Sequence, residues 1–510
     1  MNRMAITNIP SDVLSGRSIL RTDITTLNSE TLKEDLKRVL PQHAYNRQQI
    51  RKLQEYLRGW HPEIQNRVKT TRTDVDNKIT VNYAGSITRD IVGYFLGKPI
   101  QYTHRRGKFR VQMENFIHAL KAENKPLVDY EIAEDCSICG VGYRGMFAEP
   151  TARNGTHLKI LRLDPLDTFV VYSADPTKPP VYAVSAYETA GDSVGITGQQ
   201  MNVSTRYKVY TPKAVYEYED KTSNGMDTMA GANLEYLRMT PFYAGGGLPI
   251  VEYRNNMWRL GDWETAISIM DALDAVTSDG VNDIQQAVNS VLVAMGMELG
   301  LEEFENLSTN GFLNVANIPP GVNPVVEFIS QAMDADVGVA MRDYLEATLR
   351  VIVGVPDRKN RAGGGADTGD AVFLRDGWQD IDLVASAKEP YFIQAERECL
   401  TVMMAILDTY KEIKSLEAGD IEIHFNRNKT ANLQSKAQVF QTLMGSPDNP
   451  MLAPEDALDI AGLTNNVADV ILRREAFVKE YAEMLQNRTD ESTEDSNPGG
   501  GEASAVGEGD

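Results

Sequence analysis

The chain has 510 residues, of which 42% are hydrophobic, and carries a formal net charge of -21. That length is suited to two to four domains with a sizeable core, and the negative balance argues against a surface that grips nucleic acid everywhere, since phosphate binding needs clustered Lys and Arg. No run of ~18 apolar residues predicts a membrane span, the N-terminus lacks the apolar stretch of a secretory signal, and three cysteines (Cys136, Cys139, Cys399) fit a reducing compartment better than a disulfide scaffold.

In chain order, residues 28–60 read as helical, with Ser29 placed to cap, Leu32, Leu36 and Leu40 at helical spacing, and Pro41 dividing the stretch into two helices. Residues 61–80 are polar and basic and read as a loop. "VNYAGSITRDIVGYFLGKPIQY" then predicts a helix over Val81–Leu96, with Ala84, Ile87, Ile91 and Phe95 on one face. Gly97 caps it and Pro99 forbids its continuation. After "HRRGKFR" a further helix is expected over about 111–139. From Leu158 the period changes to β-branched and aromatic runs punctuated by Pro, Asp and Gly, a mainly β insert reaching about residue 240.

"GDWETAISIMDALDAVTSDGVNDIQQAV" (261–288) reads as one long amphipathic helix. Trp263, Ile267, Met270 and Leu273 keep the apolar period, whereas Glu264, Asp271, Asp274 and Asp279 make the other side acidic. A mixed segment follows, and a second long helix is predicted over 331–353, ending at Gly354. The Gly-rich stretch beyond it holds Arg358, Lys359 and Arg361 beside Gly363, Gly364 and Gly365. It lacks the Gly-Lys-[Ser/Thr] ending of a Walker A loop and the GxGxxG spacing, so it reads as a mobile loop and not a nucleotide cradle. A helix from about Ala371 to Lys414 with a kink at Pro390, a short strand "DIEIHFNRN", helices over about 431–443 and 454–487, and an acidic tail expected to be disordered complete the chain.

Catalytic chemistry is not expected. The six histidines form no HxxxH, HxH or HExxH pair, and no metal or cofactor site is predicted. Cys136 and Cys139 form a CxxC, but at the end of a predicted helix and without a second pair, which favours a structural role. "HRRGKFR" (104–110) is a small basic patch, read as a solvated surface or a salt-bridge partner for a neighbouring subunit rather than a nucleic-acid site.

Three stretches together, "VNYAGSITRDIVGYFLGKPIQY", "GGGLPIVEYRNN" running into "GDWETAISIMDALDAVTSDGVNDIQQ", and "RAGGGADTGDAVFLRDGWQDIDLVASAKEPYF", resemble the portal proteins of tailed double-stranded-DNA bacteriophages, of the siphophage type. The resemblance spans about residues 40–485. It implies an α+β, mainly α, portal fold: an N-terminal arm (1–27), a wing with the β-rich insert (28–260), a stem helix (261–288), a clip (289–330), a second stem helix (331–353), a tunnel loop (354–370), a kinked wing helix and strand (371–429), a helical crown (430–487) and the tail (488–510). It also implies a ring of this chain, expected to be dodecameric, at the unique capsid vertex of the virion, assembled in the host cytoplasm. The ring conducts double-stranded DNA without sequence specificity and docks the terminase large subunit, the major capsid or scaffolding protein and a head-completion adaptor. Arg358, Lys359, Arg361 and Gly363–Gly365 are then tunnel-loop candidates, and Glu264, Asp271, Asp274 and Asp279 acidic stem-face candidates. The competing expectation is a non-channel capsid or head–tail structural component, which would lack the stem hairpin.

Overall fold

The computed structural model describes residues 16–69, 73, 75–104, 109–175, 179–190, 203–220, 231, 233–242, 247–288, 291–295, 325–329, 335–356, 378–414, 416–427, 433–446, 449–450, 452–461 and positions scattered between 470 and 484. Helices and antiparallel sheets share the fold, an α+β arrangement.

The first strand, β1 (Leu20–Thr22), lies parallel to β5 (Thr168–Ser173) at the edge of a six-stranded sheet. The sheet continues through β6 (Pro180–Ala190), β7 (Val203–Tyr210), β8 (Ala214–Asp220) and β9 (Leu234–Pro241), each antiparallel to the one before. One helix, α1 (Ser29–Leu57), covers this sheet: Leu32, Leu36, Val39 and Leu40 share a core with Tyr182, Val184, Tyr207 and Tyr218. Two expectations fail here. The cap is Asn28, whose side chain accepts from the N–H groups of Glu30 and Thr31 while Thr31 Oγ1 accepts from Asn28 N. And α1 runs through Pro41 without a break. The apolar face continues on both sides of the proline, so burial against the sheet outweighs the one lost helical hydrogen bond.

A short helix, α2 (Pro62–Gln65), leads into α3 (Tyr83–Leu96). Ala84, Ile87, Ile91 and Phe95 are buried as their spacing predicts. Gly97 is the C-cap, but in the right-handed region, so it is Pro99 that prevents continuation. The chain turns into β2 (Gln101–His104), which pairs with the late strand β13 (Ile421–His424). Instead of one helix over 111–139 there are two, α4 (Arg110–Ala122) and α5 (Lys125–Cys139). Asn124 takes the left-handed conformation at φ 50° and Pro126 opens α5, where a missing N–H costs nothing. The β region starts earlier than expected, at β3 (Val141–Arg153), which turns at Asn154–Gly155, both with positive φ, into β4 (Thr156–Leu163). With β10 (Ile250–Arg254) they make a three-stranded sheet in the order β10-β3-β4.

A 3-10 turn (Glu264–Ala266) opens α6 (Ile267–Val288), shorter at its start than the sequence suggested and continuous through Gly280. Of the segment between α6 and the next helix, the described part is β11 (Val291–Met295) paired antiparallel with β12 (Val325–Ile329). Then come α7 (Ala335–Val353) and α8 (Trp378–Thr409), with Pro390 inside α8. Gly354 ends α7 at φ 70° and a Cβ there would lie 2.7 Å from Val384 Cγ2, so glycine is required on both counts. Two helices, α9 (Leu433–Met444) and α10 (Pro454–Ala461), pack on each other near the C-terminus. The Gly-rich loop, most of the segment 289–330, "RRGK" of the basic patch and the tail lie outside the described residues.

The main core gathers α3, α5, α8 and the roots of α6 and α7. Phe95 meets Phe392 edge-on at 5.0 Å and stacks on Phe425 at 5.3 Å. At its centre is a cluster that no sequence pattern announced. Lys125 Nζ sits 2.8 Å from both Asp129 oxygens. Arg144 binds Asp129 and, at 2.6 Å, Glu396, and Glu396 also accepts from Tyr102 and Tyr253. Burial pushes the Glu396 carboxyl up, but Arg144, Lys125 and the two tyrosine hydroxyls outweigh it and hold the group at about 2. The cluster ties α5, β2, β3 and β10 to α8, joining chain on both sides of the stem.

Candidate functional site

The chain leaves β10 for the stem through "RNNMWRLGDW" (254–263), and two asparagines shape that exit. Asn256 Oδ1 accepts from Trp258 N and Leu260 N at 3.0 and 3.1 Å, a side chain imitating a turn. Asn255 Nδ2 donates to Leu260 O and to Asp262 Oδ1. Asp262 then anchors the exit to two elements, accepting from Ser137 on α5 and from Lys388 on α8. The turn lies so close to the end of α5 that a Cβ on Gly140 would sit 2.0 Å from Arg259 O. Trp263 is fully buried and its Nε1 donates to Thr88 of α3 at 3.0 Å. The α3 stretch and the Asn-Asn stretch, separate in sequence, thus meet at the root of the stem.

Along α6 an extended segment is laced to the helix by backbone N–H groups. Val81 N donates to Asp274 Oδ1 at 2.8 Å, Ile79 N to Ser278 Oγ at 3.0 Å and Asn77 N to Asn282 Oδ1 at 2.8 Å. Four helical residues advance ~6 Å and two extended residues ~6.6 Å, so every fourth helix residue meets every second residue of the antiparallel segment. The polar spacing Asp-x3-Ser-x3-Asn was visible in the sequence; its partner segment was not.

This lacing reassigns the acidic candidates. Asp274 is fully buried and is held between Val81 N and the ring of His61. Glu264 is also buried, and belongs to the 3-10 turn before the helix. It pairs with Arg17 at 2.5 Å and accepts from Gly261 N at 2.8 Å. Neither faces an open surface, which corrects the expectation that all four carboxylates lie on a solvent-facing stem side: the apolar period left them nowhere to go but outward, and partners remote in sequence bring two of them in. Asp271 is half-buried under the Tyr56 hydroxyl at 2.7 Å, and burial pushes its carboxyl up. Asp279 stays largely exposed, bridged to Arg67 at 2.9 Å. The tunnel-loop candidates Arg358, Lys359, Arg361, Gly363, Gly364 and Gly365 lie outside the described residues.

Beyond its root the stem changes character. Leu349 and Val353 of α7 are buried, and Glu346 is buried in an ion pair with Arg350. In contrast, Val337, Met341, Tyr344 and Val351 are between 49 and 80% exposed, and with Thr348 they recur at intervals of four and three. That is the spacing of a helix seam packed on another helix. On α6, Val281 and Ile284 are likewise exposed. Large apolar side chains gathered on two neighbouring helices mark an interaction surface. A helix over 331–353 is expected from the sequence, without this stripe singled out.

The thiols of Cys136, Cys139 and Cys399 are free and buried, and burial pushes each up, which matches a packing role. Among the described residues no group of three or more His, Cys, Asp or Glu is placed to hold a metal ion, and no helix is long and apolar enough to cross a membrane.

Two neighbouring helices, α6 and α7, with a small sheet between them in sequence, thus leave a mixed α/β body. The model for the phage portal protein family, SPP1 Gp6-like, matches residues 36–453, and the chain belongs to that family. It is 22% identical over 435 residues to the portal protein of Bacillus phage SPP1, covering 82% of this chain and 80% of that one. Solved structures to which the chain is similar include the neck of an empty GTA particle, computed with C6 symmetry, and the neck of a native GTA particle, computed with C12 symmetry. Each is 12% identical and covers 75% of this chain and 90% of the other, with TM-scores of 0.40 and 0.39.

Proposed function

We propose that copies of this chain close into a ring, of twelve subunits, at one vertex of a phage capsid, and that double-stranded DNA passes through its centre during packaging and ejection. Family membership supports the class. The observation that carries the ring is the seam on α7: Val337, Met341, Tyr344 and Val351 stand in solvent in the single chain. Burying a side chain of this kind gains about 1.5–3 kcal/mol, and a head-to-tail contact with an identical neighbour, repeated by rotation, buries every copy of the seam at once. A stem hairpin is what the competing reading, a non-channel structural component, would lack.

The rest of the role follows from chemistry. With Glu264 and Asp274 spent inside the subunit, the acidic contribution to a channel wall falls to Asp279, Asp271 and the exposed Asp343, with the net charge of -21 behind them. Duplex DNA carries one negative charge per ~1.7 Å, so such a wall repels it and leaves it free to slide. Arg358, Lys359 and Arg361, among glycines, would make point contacts to passing phosphates without reading bases. The sheet of β11 and β12 would carry the surface that meets the terminase motor and later a head-completion adaptor, and the wing would meet the capsid or scaffolding protein. The chain acts as a conduit and platform, not a catalyst.

End-on images of purified protein test this. Rings with a central hole are expected, and a Tyr344→Glu chain should remain a folded monomer. A wild-type chain that stays monomeric at all concentrations and during capsid assembly contradicts the reading.

A further inference from the structure

A cleft of about 440 Å³ opens between the C-terminal end of α1, the second half of α5 and β4. Its floor is apolar, with Leu57, Ile138 and Leu166, and its lining brings four carboxylates (Glu131, Glu134, Asp135, Asp164) against two guanidiniums (Arg58, Arg162). Arg162 is committed, making two 2.6 Å bonds to Asp135. Glu131 and Glu134 are half-buried on successive turns of α5. Burial, with Glu131 alongside, pushes the Glu134 carboxyl up. The site is thus an apolar slot whose acidic lip calls for a cation.

The chain carries a segment of matching chemistry elsewhere. Between β2 and α4, Arg105, Arg106, Lys108 and Arg110 place four positive charges within six residues of a chain whose balance is strongly negative. Next to them Phe109 is exposed and held at φ 62°, a conformation that is uncommon for a bulky residue and costs strain. Strand β2, which leads into this segment, and the cleft meet different stretches of α5 in one subunit. Tyr102 of β2 hydrogen-bonds into the buried cluster at the first turn of α5, through Glu396, whereas the cleft follows residues 131–139 of α5.

We infer that the basic segment 105–110 of one subunit docks in the α1–α5 cleft of the next, with Phe109 on the apolar floor and the basic side chains on Glu131 and Glu134. The inference rests on the ring reading and deepens it. A closed ring uses heterologous contacts, in which two different patches of the same chain meet, and opposite charges on them fix the order and orientation of the neighbours. An apolar slot with an acidic lip suits an aromatic flanked by cations in a way that duplex DNA, itself anionic, does not.

Linkage within assembled rings tests it. In a Cys139→Ser background, since Cys139 lines the cleft, Lys108→Cys with Glu134→Cys, treated with a short bis-maleimide, should give a covalent ladder rising to the ring size, and either new cysteine alone should give none, because Cys136 and Cys399 are buried. Rings without a ladder, or a link formed only within single chains, overturn the contact and leave the ring reading standing. Absence of rings in the unmodified chain overturns both. Charge reversal supplies a second arm. Glu131→Lys with Glu134→Lys, or Arg106→Glu with Lys108→Glu, should each lower ring yield about tenfold at low salt, with thermal unfolding of the monomer unchanged, and combining all four should restore it. If the four-fold variant is no better than the doubles, or if Arg106→Glu with Lys108→Glu weakens DNA binding while ring yield holds, the segment serves another partner.

Discussion

The body of the subunit and its stem invert the usual placement of residues. In the body, charges lie inside: Lys125, Asp129, Arg144 and Glu396 are buried and paired with one another. In the stem, large apolar side chains lie outside: Val337, Met341, Tyr344 and Val351 on α7, and Ile284 on α6. A buried ion network adds little net stability over apolar packing but fixes which groups must meet, since any other arrangement leaves a charge unpaired. An exposed seam adds nothing until a second copy arrives. The body's ion network is complete within one chain, whereas the proposed ring would complete the seam.

Mutations that break this contrast should separate stability from association. The largest effect is expected at the body's centre. Glu396→Ala leaves Arg144 and Lys125 facing one remaining carboxylate in an apolar core and should lower monomer stability by about 3–5 kcal/mol, read by denaturant unfolding. Next, Asp274→Ala removes the acceptor of Val81 N and the partner of His61. A loss of roughly 3 kcal/mol is expected, with faster hydrogen exchange at Asn77, Ile79 and Val81 as the local sign that the lacing has come apart. Tyr344→Glu, on the seam, should change monomer stability by no more than ~0.5 kcal/mol while abolishing rings, measured by sedimentation.

The smallest effect is a pH dependence confined to the body. Burial holds His43, from α1 against Leu166 O, at about 3, below its ordinary value. A base with a depressed value is neutral in the fold, so its contribution is whole above about 6.5 and is lost as pH falls toward about 3. Glu396, held at about 2, contributes fully above the ordinary carboxylate range and loses that contribution as pH falls through about 2. These two groups therefore contribute a decline from pH 6.5 downward that continues below 4, opposed by Asp135 and Asp167, whose carboxyls burial raises to about 7 and about 6. The difference curve between the unmodified chain and His43→Gln should show the upper decline alone.

Much of this was legible in the sequence where a pattern and its partner lie on one element. The buried face of α3, the helices α6 and α7, the stop at Gly354 and the strand 421–424 follow from period and punctuation. What was hidden depends on partners far along the chain. Pro41 reads as a break unless the sheet beneath α1 is known. Glu264 and Asp274 read as solvent-facing until Arg17 and His61 arrive from more than two hundred residues away. The stripe on α7 was hidden in another sense, because an apolar period alone does not say whether its partner lies in the same chain or outside it.

The central claim is that α7 carries a surface finished only by a neighbouring copy. Hydrogen exchange compared between a monomeric Tyr344→Glu chain and wild-type rings tests it most directly. Slowed exchange over 337–352 on ring formation, with exchange in α3 unchanged, is the expected result. Rings in which 337–352 exchanges as fast as in the monomer would contradict it.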